Sequence, residues 1–260
     1  MAFIDANGQK LFYNQKGQGP AVILVHGFPL DGRMWDAQVE GLSGRYRVIA
    51  PDLRGFGQSG RTQPFSLEDL ADDLHGLAEK LGALPLVLGG LSMGGYIALA
   101  YVTRYAADLK ALMLIDTKAE ADTTEAKSDR MKMIETCRAG GAKAIADALL
   151  PKLVAQSSGA HVVARAREIM EYCPPATIEN ALLAMRDRRD YRCELPSIAV
   201  PTLVMAGRED ALTGPSTAEA MLRELRHGQL AIIPDAGHLS PMEQPEKVNQ
   251  EIRAFLGEVG

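Results

Sequence analysis

Leu86-Val87-Leu88-Gly89-Gly90-Leu91-Ser92-Met93-Gly94-Gly95 is followed at once by Tyr96, Ile97, Leu99 and Ala100. The first part is an apolar run ending in Gly90-x-Ser92-x-Gly94, and the second has helical spacing. The stretch therefore reads strand, sharp turn, helix. A turn this tight forces the serine into strained backbone geometry, and only small flanking residues leave room for it. The strain lifts the hydroxyl to the carboxyl edge of a sheet and sets the next N–H, on Met93, beside a carbonyl under attack. Glycine-rich strand–helix turns also occur with an inert serine. The reading of Ser92 as a nucleophile therefore depends on a base and an acid elsewhere in the chain.

Around this stretch, short apolar runs alternate with helical patterns. The runs are Ala21 to Val25, Tyr46 to Ala50, Leu86 to Gly90, Leu109 to Ile115, Thr202 to Ala206 and Leu230 to Ile233. Their near-continuous hydrophobicity predicts strands buried on both faces, as in a parallel sheet covered by helices. Ser66 to Leu81 has helical spacing at Leu67, Leu70, Leu74, Leu77 and Leu81, with Ser66 and Asp69 placed as a capping start. Lys10 to Gln15 with the Gly17/Gly19/Pro20 turn predicts an antiparallel hairpin leading into the sheet. The pattern is that of a doubly wound α/β fold.

One segment breaks the alternation. From about Thr117 to Leu195 only helical stretches occur: Lys127 to Arg138, Ala142 to Leu150, His161 to Tyr172 and Thr177 to Arg186. The chain divides accordingly into a core of residues 1–117 and 195–260 and a helical insertion of residues 118–194. That insertion is expected to cap the carboxyl edge, where open α/β sheets bind ligands.

The 260 residues carry a formal net charge of −5, with 47% hydrophobic and 23% charged residues. This balance argues against a nucleic-acid surface. No apolar run approaches the roughly 20 residues of a membrane span, and the first residues lack the basic and apolar regions of a signal peptide. Cys137, Cys173 and Cys193 are scattered, without C-x-x-C spacing, and predict neither a disulfide framework nor a zinc site. A cytoplasmic location is the expectation. Oligomeric state is left open.

Five histidines could serve as the base. His75 falls within a helix, His161 in the insertion, and His227 before the last strand, at the wrong end of the sheet. His26 opens the loop after an early strand and is a rival on position. His238 follows the last strand and shares an edge with Ser92, which makes it the expected base. The carboxylate that fixes its tautomer is expected at Asp210, after the strand Thr202 to Gly207. Asp116, ending the strand Leu109 to Ile115, and Glu209 are the rivals. The order serine, acid, histidine is the one expected of this architecture. The oxyanion is expected to face the backbone N–H groups of Met93 and Phe28, since Pro29 has none to offer.

His26-Gly27, the loop Asp52 to Ser59, the turn at Ser92, Gly207-Arg208-Glu209-Asp210 and Gly237-His238 together resemble the α/β-hydrolase superfamily over the whole chain. His26 to Trp35 followed by Tyr46 to Gly60 is similar to the branch of bacterial esterases and cofactor-free haloperoxidases, or perhydrolases. Pro241 to Pro245 is similar to enol-lactonases and carboxylesterases. Ser92 in place of an aspartate separates the chain from haloalkane dehalogenases and epoxide hydrolases, and Phe28 after His26-Gly27 separates it from HGGG lipases. The resemblance implies an α/β-hydrolase fold and a serine hydrolase of small or medium esters or lactones, free of metal and organic cofactor. Peroxide intercepting the same acyl-enzyme is the alternative, and a small-ligand sensor on the same fold is another.

Two further features are weighed. Gly55 to Gly60 matches G-x-G-x-x-G, yet Arg61-Thr62-Gln63-Pro64 intervenes before any helix, so no dinucleotide site is expected. Met131, Met133, Met170 and Met185 in the insertion read as core. Arg186, Arg188, Arg189 and Arg192 alternate with Asp187 and Asp190. They read as a solvated face or as a site for a substrate carboxylate.

Overall fold

In the computed structural model, which describes residues 1–60 and 63–259, the apolar runs form strands. The chain opens with β1 (Ala2–Ala6), β2 (Gln9–Lys16) and β3 (Ala21–Val25), then α1 (Asp36–Leu42) and β4 (Arg47–Pro51). After these come α2 (Leu67–Lys80), β5 (Leu86–Leu91), α3 (Met93–Tyr105) and β6 (Leu109–Ile115). Three helices stand between β6 and the next strand: α4 (Thr124–Leu153), α5 (Ala160–Tyr172) and α6 (Pro175–Asp187). The chain closes with β7 (Thr202–Gly207), α7 (Pro215–Glu224), β8 (Gly228–Ile233), the four-residue α8 (Ser240–Glu243) and α9 (Pro245–Val259). Arg61 and Thr62, read above as part of a link, and Gly260, the end of the expected core, lie outside the described residues.

Among the described residues one eight-stranded sheet has the order β1-β2-β4-β3-β5-β6-β7-β8. β2 runs antiparallel to both neighbours, and every pair from β4 to β8 is parallel. This is the mostly parallel, doubly wound sheet that the sequence predicts. Alternate residues of the central strands enter two apolar layers. Ile23 and Val25 pack with α2 and α3 on one face, while Val22 and Leu24 pack with α1 and α9 on the other. From β3 the chain moves outward to β4 and then returns on the other side to β5. The loops after β3 and β5 therefore diverge and leave a crevice at the carboxyl edge.

The first hairpin differs from expectation. β1 and β2 are joined through Asn7-Gly8, both at positive φ (50° and 72°), the geometry of a tight hairpin turn. The Gly17 to Pro20 turn instead carries the chain past β4 to β3. The edge strand β1 is largely exposed, so its apolar signal is weak.

The helix from Leu67 starts as its sequence specifies. The Ser66 hydroxyl accepts the Asp69 N–H at 3.1 Å, and the Asp69 carboxylate accepts the Ser66 N–H at 2.7 Å. Four buried leucines of this helix pack on the sheet. Ser66→Ala should therefore lower stability by about 1 kcal/mol, seen as a lower urea midpoint at unchanged slope. An unchanged midpoint would remove the cap from the determinants of this helix.

Candidate active site

The turn at Ser92 has the strain that its neighbours imply. Ser92 stands at φ 53° and ψ −113° between the last residue of β5 and the first of α3. A Cβ on Gly90 would run into the Gly94 carbonyl, and one on Gly94 into the Val25 carbonyl. Neither position can hold a side chain without moving backbone. The Ser92 N–H donates to the Ile115 carbonyl of β6 at 3.0 Å, and its carbonyl accepts the Thr117 hydroxyl at 2.8 Å. The strained residue is thus tied to the next strand. Met93 opens α3, so its N–H has no intrahelical acceptor and adds to the positive end of the helix dipole.

His238 and Asp210 meet after β8 and β7. The Asp210 carboxylate can only accept, so the His238 Nδ1–H donates to Oδ2 at 2.8 Å and leaves Nε2 without a proton. Oδ2 also accepts the Thr213 hydroxyl at 2.8 Å, and Oδ1 accepts the N–H groups of Leu212 and Thr213 at 2.8 and 3.1 Å. Burial opposes the charge of Asp210, but the His238 bond and these donors outweigh it and lower its pKa. Burial likewise opposes a charge on His238. The bond and charge of Asp210 overcome it, and the imidazole pKa is raised above 6.5.

The rivals are occupied elsewhere. His26 is buried, its Nε2 accepts the Leu53 N–H at 3.1 Å and its Nδ1 faces the Gly27 carbonyl at 3.0 Å. Burial pushes its pKa down to about 4, so it is neutral and internally bonded. Asp116 is fully buried and accepts the Gly207 N–H at 2.7 Å on one oxygen. Its other oxygen accepts the Ser240 hydroxyl at 2.5 Å. Burial raises its pKa to about 7. Asp116 braces the ends of β7 and the His238 loop. Glu209 is exposed. His75 lies 3.1 Å from Asp108 and stacks on Tyr105, far along α2.

A cavity of about 500 Å³ brings Ser92, His238 and Phe28 together, with Asp210 behind His238. Ser92, His238, Thr213 and Phe28 line it from the sheet side. Met133, Leu149, Leu153 and Met185 line it from α4 and α6. Of the methionines read as core, Met170 and Met185 are buried in it, Met133 packs against it and Met131 is exposed, while Met133 and Met185 also form part of the cavity wall. β3 and β5 pair with Val25 opposite Gly90, which holds the Phe28 loop beside the turn at Ser92. A larger cleft of about 730 Å³ around Glu120, Asp190 and Arg192 contains none of these residues.

The arginine cluster is neither an open anion site nor a uniformly solvated face. Arg188 is buried against Asp122 at 2.6 Å and lies 4.2 Å over the Tyr96 ring. Arg186 pairs with Asp187, Arg189 with Glu194 and Arg192 with Asp190. The Gly55 to Gly60 loop closes on itself, the Gly55 N–H donating to the Gly60 carbonyl at 2.9 Å, and it opens no helix.

Glu243 was not singled out in the sequence. One of its oxygens accepts the N–H groups of Gly237 and Leu239, on either side of His238, at 3.0 and 3.1 Å. The other accepts the Ala155 N–H at 2.7 Å and the Ser158 hydroxyl. The His238 and Leu239 N–H groups also share the Leu153 carbonyl, at 2.9 and 3.1 Å. The only sequence signal was position, in the Pro241 to Pro245 stretch. Among the described residues no helix is long and apolar enough to cross a membrane.

Residues 22–251 match the model of the alpha/beta hydrolase family. The chain is 33% identical to the AB hydrolase superfamily protein YisY of Bacillus subtilis, over 94% of each. A thermophilic esterase from Thermogutta terrifontis, solved with malate bound, superposes with a TM-score of 0.95 at 43% identity, covering 99% of this chain and 98% of that one. The enol-lactonase of Burkholderia xenovorans superposes at 0.90 with 27% identity, covering 98% and 100%.

The electrostatics separate the two loop histidines without any assay of turnover. In an NMR titration of Cε1-labelled histidine, His238 should protonate above 6.5 and His26 only near pH 4. Asp210→Asn should lower the His238 value, because it removes the partner that favours imidazolium. An unmoved His238 titration in that variant would break the pairing.

Proposed function

Since the chain belongs to the alpha/beta hydrolase family, we propose that it is a cofactor-free serine hydrolase that cleaves small or medium carboxylic esters or lactones. The observation that carries the reading is the Asp210–His238 bond of 2.8 Å beside a cavity that also holds Ser92. A pocket of this kind, with a base oriented by a carboxylate, suits turnover better than ligand capture.

In this reading Ser92 Oγ attacks the acyl carbon while His238 Nε2 takes its proton. Asp210 holds the imidazole in the required tautomer and stabilises the imidazolium. The negative oxygen of the tetrahedral intermediate rests on the Met93 and Phe28 N–H groups. His238 returns the proton to the leaving oxygen as the C–O bond breaks, leaving an acyl-serine. Water, deprotonated by the same nitrogen, then attacks the acyl carbon and frees the acid and Ser92. Residues 118–194 form a cap whose α4 and α6 side chains complete the wall and set acyl or alcohol selectivity. The esterase and enol-lactonase among the similar structures support this substrate class.

Ser92→Ala should reduce p-nitrophenyl acetate turnover by at least about 10⁴-fold, since the remaining groups act as one unit with the serine. A fluorophosphonate should label Ser92 in the wild type and nothing in the variant. Near-wild-type turnover in Ser92→Ala would end the proposal.

Asp210→Asn should cost about 10²- to 10⁴-fold in kcat with little change in KM. Asp116→Asn should act mainly on stability, read by thermal unfolding. The acid limb of kcat/KM should lie above 6.5, because a base with a raised pKa becomes imidazolium, and idle, sooner as pH falls. A reversed ranking of the two aspartates would move the acid to β6.

A further inference from the structure

Lys118, Asp129, Arg130, Lys132 and Lys152 line the cavity without a part in the reaction derived above. Lys118 stands three residues beyond the end of β6 and lines the same cavity as Ser92. Its neighbour Thr117 donates to the Ser92 carbonyl at 2.8 Å, which fixes the start of this segment against the nucleophile. Lys118 is half-buried, and among the described residues its ammonium makes no hydrogen bond or ion pair.

Of the other cations lining the cavity, Arg130 and Lys132 are paired, while Lys152, which has no ion pair among the described residues, is exposed to solvent. Arg130 and Arg188 share Asp122 at 3.0 and 2.6 Å, and Lys132 holds Asp129 at 2.9 Å. Asp122 is therefore already engaged by two guanidiniums. Burial pushes the Lys118 pKa down, and the charges of Arg188 and Arg130 act in the same direction against Asp122 and Glu120. A cation drawn out of water is ordinarily paired, because desolvation without a partner is costly. Here the partner is missing, and the half-buried ammonium belongs to a residue lining the cavity that also holds Ser92.

We propose that the cavity takes an ester or lactone bearing a carboxylate separate from its scissile bond, and that Lys118 binds that carboxylate. One ammonium matches one negative charge. The forked guanidiniums that would add donors for a second negative charge are committed to Asp122. The charge-assisted contact forms in the ground state and persists through acylation, so it acts chiefly on KM. The assignment rests on the serine-hydrolase reading and names its substrate class.

The test compares monomethyl glutarate with methyl butyrate in a pH-stat at fixed ionic strength, near neutral pH. The two esters differ in the terminal carboxylate and its carbon. The wild type should show a higher kcat/KM for monomethyl glutarate, and free glutarate should inhibit methyl butyrate hydrolysis competitively. In Lys118→Met the ratio of the two kcat/KM values should fall by about 10- to 100-fold, mostly through KM. Lys118→Gln should repeat this loss if the apolar variant folds poorly. The glutarate inhibition constant should rise by a similar factor.

A wild type without preference for the charged ester would overturn the proposal. So would a lysine variant that slows both esters equally, which is the signature of a structural role. Failure of the underlying reading looks different, because methyl butyrate hydrolysis would then survive Ser92→Ala.

Discussion

The backbone at Ser92 is held in a conformation that a serine does not adopt on its own, and the surrounding packing follows from that demand. The positive φ is tolerated because α3 starts directly over the loop leaving β3, with bare glycines where the chains cross. That crossing in turn requires β3 and β5 to lie side by side with Val25 level with Gly90. The parallel register, the glycine spacing and the exposed hydroxyl are therefore one constraint seen at three scales. Strain of this type persists only where the rest of the fold over-determines it. The bonds from Ser92 to Ile115 and from Thr117 to Ser92 extend the over-determination to β6.

Around this fixed point, buried and half-buried carboxylates fasten the loops. Asp116 joins the end of β7 to the segment after His238, and Glu243 joins that segment to the end of α4. Asp52 does the same at the other side of the crevice, accepting the Gly32 and Gln58 N–H groups at 2.8 and 2.7 Å. Burial raises its pKa to about 6, the cost of placing an acceptor where several loops converge. Backbone N–H groups with no strand partner must be satisfied somewhere, and a carboxylate can satisfy several at once.

The strands and the capped helix at Ser66 were legible because their determinants are local: apolar runs buried on both faces, and a serine three residues before an aspartate. The separation of the α4 region into two stretches was legible for the same reason, since Gly141 departs from helical geometry at φ 66°. The first hairpin was misplaced because β1 is exposed and its pattern weak, although Asn7-Gly8 was a turn signal in plain view. Ser92, Asp210 and His238 could be picked out because each follows an apolar run at one edge. Long-range pairing was not legible. Nothing in the spacing of Arg188 says that it will lie buried against Asp122, and nothing marks Lys118 as a half-buried cation without an ion pair. Glu243 and Asp116 act through backbone groups distant in sequence, which residue patterns do not reveal.

The break at Gly141 divides α4 into two halves with unequal freedom. The half after it ends at Leu153, whose carbonyl holds the peptide of His238, and passes into Ala155 and Ser158, which hang from Glu243. The half before it carries Met133 and Thr136 into the cavity but, among the described residues, shares no such bond with the His238 loop. Alterations of pocket shape in residues 124–140 are mechanically insulated from the imidazole, whereas a shift in residues 142–153 drags it. The helical run thus holds one stretch coupled to the His238 loop and one that is not, so a change of wall shape in the first half need not pass to the imidazole.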